Sequence, residues 1–299
     1  MSKKQVNFSL ISLILSMVIF GTVGVFRRML SMPSSVIALG RGIVGTLVLV
    51  LCIFLRGRKP HYGKGQGVKL FVTGAMIGFN WILLFEAYNH TTVATATLCY
   101  YMAPVMVMTL APLVLGEAWS KKKGVCLVLA LIGMVMVSGV TEAAFTVQEL
   151  PGVLMGLGAA ALYACVILMN KRIKGVEALD KTALQLGCAA AVLLPYVLLT
   201  EKVGAMTASA GDWWLLIGMG LVHTGLAYVL YFGALRKVPA HRAAVLSYID
   251  PVVAVLLSAL LLHESMTPFG VAGTVLILGA ALLGEWPEKV KKTAEQAAE

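Results

Sequence analysis

Apolar residues run along this chain in long unbroken blocks, interrupted at short intervals by clusters of lysine, arginine and small polar residues. About 20 consecutive apolar residues are needed for a helix to cross a hydrocarbon layer. On that measure the blocks predict ten spans: 8–26, 35–55, 69–88, 92–115, 124–141, 151–170, 181–200, 212–235, 240–262 and 267–285. None of them alternates with period two, the pattern of a membrane barrel. The predicted class is therefore all-α integral membrane. The third and fourth blocks, and the eighth and ninth, are separated by only a few residues. The longest predicted loop, 56–68, is too short to fold by itself.

The blocks repeat. Phe85, Ala87, Ala96, Tyr101, Pro104, Val105, Leu113 and Glu117 recur 147 positions later as Phe232, Ala234, Ala243, Tyr248, Pro251, Val252, Leu260 and Glu264. A fainter echo at offset 144 sets Arg27 and Arg28 on Lys171 and Arg172, and Arg41 on Gln185. A period this long is not that of a solenoid; it is the duplication of a whole bundle.

Composition agrees with the blocks. The chain is 59% hydrophobic and only 13% charged, against about 25% charged residues in an ordinary soluble domain. The net charge of +10 is not a nucleic-acid footprint, because the basic residues are sorted by side. With the N-terminus inside, cytoplasmic segments hold 20 of the 24 Lys and Arg, including Lys121 to Lys123 and Lys171, Arg172 and Lys174. Outer segments hold Arg27, Arg28 and Lys202, and Arg41 lies within a span. By the positive-inside rule both termini are expected in the cytoplasm. Cys52, Cys99, Cys126, Cys165 and Cys188 fall inside spans without a CxxC pair, which predicts packing residues, not a disulfide framework. The first block lacks a small-residue cleavage site and exceeds the apolar core of a secretion signal, so it is expected to remain as a span.

Each copy holds five blocks, an odd number, so two copies in series enter the membrane from opposite sides. The expected architecture is two inverted five-helix repeats, 8–141 and 151–285, followed by a cytoplasmic tail at 286–299. Secondary transporters use such repeats, with the site near the midplane and the halves exchanging conformations. An inert bundle is the bland alternative.

Specific motifs carry a resemblance. Tyr100-Tyr-Met-Ala-Pro-Val followed by Leu115-Gly-Glu117 returns as Ser247-Tyr-Ile-Asp-Pro-Val and Leu262-His-Glu264. With Phe20-Gly21 six residues before Arg27, and with Arg41, these motifs resemble the EamA domain of the drug/metabolite transporter superfamily in both halves. The resemblance implies a ten-helix bundle with a central cavity. It also implies movement of a small amphipathic metabolite, amino acid or drug-like compound, more often outward, across an inner membrane. His263 departs from the usual glycine of the Leu-Gly-Glu signature, and Ala103 differs from its counterpart Asp250.

Several residues are candidates for chemistry. Ionisable groups inside spans are costly and face a bundle interior or water. His223 and Asp250 fall at similar depth, and a His–Asp pair would relay a proton or hold a polar substrate; the plain reading is that Asp250 caps the Pro251 turn and His223 meets a carbonyl. Asn80, Trp81, Tyr100, Tyr101, Tyr163, Tyr228 and Tyr248 form an aromatic and amide set, suited to stacking on a ligand or to helix packing. Pro104 and Pro251 sit mid-span at matching positions and predict bent helices that shape a cavity or gate it. Arg41 and Glu86 lie toward the outer side, as a structural ion pair or with Arg41 on an anionic substrate group. Glu117 and Glu264 precede Ser120 and Thr267, predicted N-caps with Pro268 at the first helical position, so both carboxylates are expected beside those helix starts. Trp213 and Trp214 read as interface anchors.

No phosphate-binding loop, H-E-x-x-H, G-x-S-x-G or metal-ligand spacing occurs. The expected partners are a small-molecule substrate, the lipid bilayer and a proton or exchanged solute. No cofactor, metal or nucleic acid is expected, and the assembly is a monomer or homodimer. An intramembrane enzyme or lipid-handling scaffold is the alternative class.

Overall fold

The computed structural model describes residues 3–116, 119–137, 147–202, 206–235, 238, 243 and 246–285. Among them all regular structure is helical. The helices are α1 (Lys3–Gly21), α2 (Val23–Arg28), α3 (Ser34–Leu55), α4 (Gly67–His90), α5 (Val93–Tyr100), α6 (Ala103–Leu115), α7 (Lys121–Val137), α8 (Leu150–Asn170), α9 (Ala178–Thr200), α10 (Ala210–Met219), α11 (Ala227–Leu235), α12 (Ile249–Leu261) and α13 (Pro268–Glu285). A π-helical segment, Gly220–Leu226, joins α10 to α11.

Seven stretches of the described residues are long and apolar enough to cross a membrane: Phe8–Arg28, Ser34–Leu55, Gly67–His90, Val93–Leu115, Val147–Asn170, Ala178–Thr200 and Ala210–Leu235. Ile249–Leu261 and Pro268–Gly284 are shorter apolar helices. The predicted blocks at 124–141 and 240–262 run into residues outside the description, as does the tail at 286–299. The outer surface suits lipid: Leu55, Leu113 and Leu199 are each more than three-quarters exposed, which water would penalise and hydrocarbon does not.

Helix starts follow local chemistry. Thr92 accepts the Thr95 N–H at 3.0 Å, and Ser209 forms a reciprocal capping box with Asp212. Thr267 accepts the Gly270 N–H at 3.0 Å with Pro268 as the first helical residue, as predicted, and Ser120 accepts the Lys123 N–H at 3.3 Å.

Packing joins the halves through crossings that come in exchanged pairs. The α4–α8 crossing matches that of α1 with α11, and α4–α9 matches that of α3 with the π segment. The contact of α8 with α5 and α6 matches that of α1 with α12, while α3–α9, α5–α12 and α7–α13 pair with themselves. Helices approach closely at small residues, as membrane bundles do. At the α7–α13 crossing a Cβ added to Gly133 would lie 2.7 Å from the Gly273 carbonyl oxygen, and one on Gly273 the same distance from that of Gly133.

Candidate functional site

Three spans are interrupted at the centre of the bundle. The first breaks at Thr22, between α1 and α2. The fourth breaks at Tyr101 and Met102, between α5 and α6. The last of the three, in the predicted block 240–262, turns at Tyr248, just before α12. The sequence predicts bent helices at Pro104 and Pro251. The structure instead has a break in front of each proline, which then sits in the first turn of the following helix. That is where its missing N–H removes no helical bond, so a break costs less than a kink. The two tyrosines at the breaks, Tyr101 and Tyr248, are counterparts at offset 147.

The breaks surround a cavity of about 290 Å³. Of the predicted residues, Trp81, Tyr100, Tyr101, Pro104, Tyr163, Tyr228, Arg41 and Asp250 line it. Tyr100 stacks on Tyr163 with centroids 5.4 Å apart, and Phe20 meets Tyr228 at 5.3 Å. The Tyr101 hydroxyl donates to Asp250 Oδ2 at 2.6 Å, tying the break of the fourth span to the first turn of α12. Asp250 Oδ1 has no hydrogen bond among the described residues. The α1 backbone passes close behind: a Cβ on Gly21 would lie 2.6 Å from the Asp250 carbonyl oxygen.

Arg41 is 4% exposed. Its guanidinium lies over Trp81 at 4.7 Å and Phe85 at 5.1 Å, and Nε donates to Thr224 at 3.2 Å. The expected Arg41–Glu86 ion pair is not made. Glu86 instead accepts from Ser34 and Asn89 and lies 3.4 Å from His90, because Ser34 is itself held by Arg27 at 3.0 Å. A desolvated cation–π contact is worth about 2 kcal/mol, whereas burying an unpaired charge costs several. The protein alone leaves Arg41 under-compensated.

Three of the residues predicted to bind the substrate stand off the cavity. Asn80 donates to the Ala159 carbonyl at 2.6 Å and ties α4 to α8. Tyr248 is buried behind Tyr101, ring centroids 6.5 Å apart. His223 lies in the π segment, where its Nε2 meets the Thr22 hydroxyl at 2.8 Å and its ring packs edge-on against Phe26. It is not bonded to Asp250, so the expected His–Asp pair is not formed. π segments recur at functional sites, and here one positions both His223 and Thr224, the partner of Arg41.

The Glu264 carboxylate is not bonded to the start of α13. Its Oε2 accepts the Val93 N–H at 2.8 Å at the start of α5 and a short bond from the Ser258 hydroxyl, while Oε1 pairs with Arg28 at 3.1 Å. Arg28 also donates to the Thr91 carbonyl at 2.8 Å. The carboxylate thus uses helix-terminus chemistry, but on a helix of the other repeat. Glu117 lies outside the described residues. Sequence reasoning missed Leu84, Phe85, Tyr88, Thr97 and Tyr231 as lining residues. The spacing Trp81, Leu84, Phe85, Tyr88 is one helical stripe (i, i+3, i+4, i+7) and is the signal that was available.

These features define a multi-span α-helical membrane protein built around a central cavity with charged and aromatic walls. The chain belongs to the EamA-like transporter family, whose pattern matches residues 7–139 and again 150–284. It is 31% identical to an uncharacterized transporter of Archaeoglobus fulgidus, over 93% of this chain and 96% of the relative. It is 27% identical to the Bacillus subtilis uncharacterized transporter YxxF over 94% and 91%, and 29% identical to protein PecM of Dickeya dadantii over 72% of each. A solved crystal structure superposes with a TM-score of 0.64 over 92% of this chain and 96% of that one at 17% identity, a likeness of fold alone.

Proposed function

We propose that this chain is a secondary active transporter that moves a small amphipathic metabolite by alternating access, outward across the inner membrane. Ten spans form two inverted five-helix repeats with both termini in the cytoplasm. The exchanged pairs of helix crossings support this arrangement, since each half meets the other as its partner meets it.

The observation that carries the reading is the cavity itself. It lies where broken helices from both halves meet, and it presents an aromatic wall, a buried cation and a carboxylate held by one phenol. Intramembrane ionisable groups facing a cavity mark substrate and proton paths. Trp81, Tyr100, Tyr101, Tyr163 and Tyr228 receive the substrate's apolar body, and Asp250 takes up and gives up the coupling proton through its unbonded oxygen. His223, tied to Thr22, braces the π segment.

The outward direction draws support from the closure of the two ends. The lining reaches Ile167, Tyr231 and Ser247, near helix ends that lead into Lys171, Arg172, Lys174, Arg236, Lys237 and Arg242, the basic side. The opposite end is tied by Arg28, Glu264 and the α5 start. A site tied at the outer end and lined toward the basic end fits loading from within. Reconstituted protein tested for flux of amino acids, polyamines, nucleosides and quaternary amines under an imposed pH gradient checks the reading. Flux of at least one class without ATP is expected. Chemical turnover of a compound with no flux would sink it.

A further inference from the structure

We infer that Arg41 is a specificity residue, and that the compound bound in the cavity carries an oxyanion, a carboxylate or a phosphonate-like group, on a flat apolar body. Calling that compound a substrate rests on the transport reading above; the oxyanion site itself does not.

Arg41 is surrounded by protein on every side but one. Two aromatic rings cover its flank, and Thr224 takes Nε. No carboxylate pairs with it among the described residues. Among the described residues its two terminal nitrogens have no hydrogen-bond partner, and the space the residue adjoins is the cavity. What remains is a guanidinium bordering the pocket, with donors in the fork that matches an oxyanion in two-point contact. Because the site is apolar around it, an arriving anion removes the cost of the unpaired charge as well as adding hydrogen bonds.

The rest of the pocket fixes the shape of the partner. Tyr100 and Tyr163, stacked with an interplanar angle of 27°, and Trp81 beneath the guanidinium leave room for a ring or short chain. Asp250 lies on the same cavity without pairing with Arg41, so an anion is drawn to the arginine and repelled from the carboxylate. That sets which end of the ligand points where. The other repeat supplies a control: Gln185, the counterpart of Arg41 at offset 144, donates to Thr73 at 2.6 Å and Asn170 at 2.8 Å and lies away from the cavity.

The test uses purified full-length protein in detergent and four probes of similar shape: 3-phenylpropionate, 2-phenylethylphosphonate, 3-phenylpropanol and 3-phenylpropylamine. Binding is read by calorimetry and thermal shift. The two oxyanions are expected to bind roughly tenfold to a hundredfold tighter than the alcohol or the amine. Arg41→Gln, which imports the residue of the other repeat, is expected to reduce both oxyanions to the level of the alcohol without weakening the alcohol. Arg41→Lys keeps part of the preference, having charge without the fork. Should the variants not fold, phenylglyoxal labelling of Arg41 in the unaltered protein, read by mass spectrometry, replaces them. Protection by 3-phenylpropionate and none by 3-phenylpropanol is expected. Equal affinity for oxyanion and alcohol, binding of none of the four, a preference that survives Arg41→Gln, or equal protection overturns the inference. Oxyanion binding without flux of any compound would remove the transport reading and keep the site. Flux confined to neutral or cationic compounds would do the opposite.

Discussion

Arg41 on α3 reaches across to Thr224, and Gln185 on α9 reaches across to Thr73. These are the same crossing made twice, a second-span residue of one half on a threonine of the other. They differ in charge and in completeness. The Gln185 amide has both donors placed, on Thr73 and Asn170, while Arg41 has one of its nitrogens bonded and the others at the cavity. The break positions show the same division. Ala103 follows the first break and borders the cavity with a methyl group alone; its counterpart Asp250 follows the second and brings a carboxylate to the same cavity. One copy of each pair is chemically complete, and the other leaves a charge unfinished. A duplicated bundle can afford this, because the shared scaffold of tyrosine, proline and helix crossing keeps the fold while the differing positions become free to carry chemistry.

The sharpest way to break this comparison is at Asp250, the second residue beyond its break. Asp250→Asn is expected to abolish flux driven by a pH gradient while leaving solute exchange across proteoliposomes; pH-driven flux that persists would show that the proton travels elsewhere. Next in size is Gln185→Ala, which removes the amide donor that Thr73 and Asn170 accept. It is expected to lower stability by about 1–3 kcal/mol in thermal unfolding while leaving ligand preference untouched; a change in preference would mean that both copies read the ligand. Glu264→Gln keeps size but removes the charge that meets Arg28 and the Val93 N–H. A loss of about 1 kcal/mol is expected, read as a lower midpoint in the same assay and as easier labelling of a cysteine placed at Thr91 from the outer side. The smallest effect compares Gly116, at φ 70°, with His263, at φ 54°. Both hold the left-handed conformation, which costs a side chain roughly 1 kcal/mol. His263→Gly should therefore raise the unfolding midpoint slightly and Gly116→His lower it. The same sign for both would mean that the two turns are not equivalent.

Much of the scaffold was legible in the sequence because burial in a membrane writes itself as length. The predicted 35–55, 69–88 and 181–200 correspond to Ser34–Leu55, Gly67–His90 and Ala178–Thr200. The Thr267 cap and Pro268 start were equally local and equally readable. The cavity was partly legible: aromatic residues at matching offsets were the right kind, and Trp81, Tyr100, Tyr101, Tyr163 and Tyr228 all reach it. Partner choice was not. Arg41 and Glu86 share a depth, but depth says nothing about which way a helix is turned, and Ser34 and Asn89 lay closer to the carboxylate. Asp250 found Tyr101 in place of His223 because two broken helices approach there, a meeting of residues about 150 positions apart that no local pattern encodes. Glu264 bonds the start of α5 for the same reason: the helix start nearer in sequence is not the one its carboxylate meets.

The π segment at Gly220–Leu226 also fixes an angle. A π turn carries one residue more than an α turn, and each residue of a helix advances its neighbours by about 100°. Everything after Leu226 is therefore rotated relative to everything before Gly220, and Tyr228 and Tyr231 owe their place on the cavity wall to that phase. Holding the same residues in a plain α-helix, with none removed, would leave composition, length and hydropathy unchanged. It would swing both tyrosines by about 100° toward a neighbouring helix or the lipid, turning a binding wall into an outer face, and only deleting one residue as well would cancel the swing.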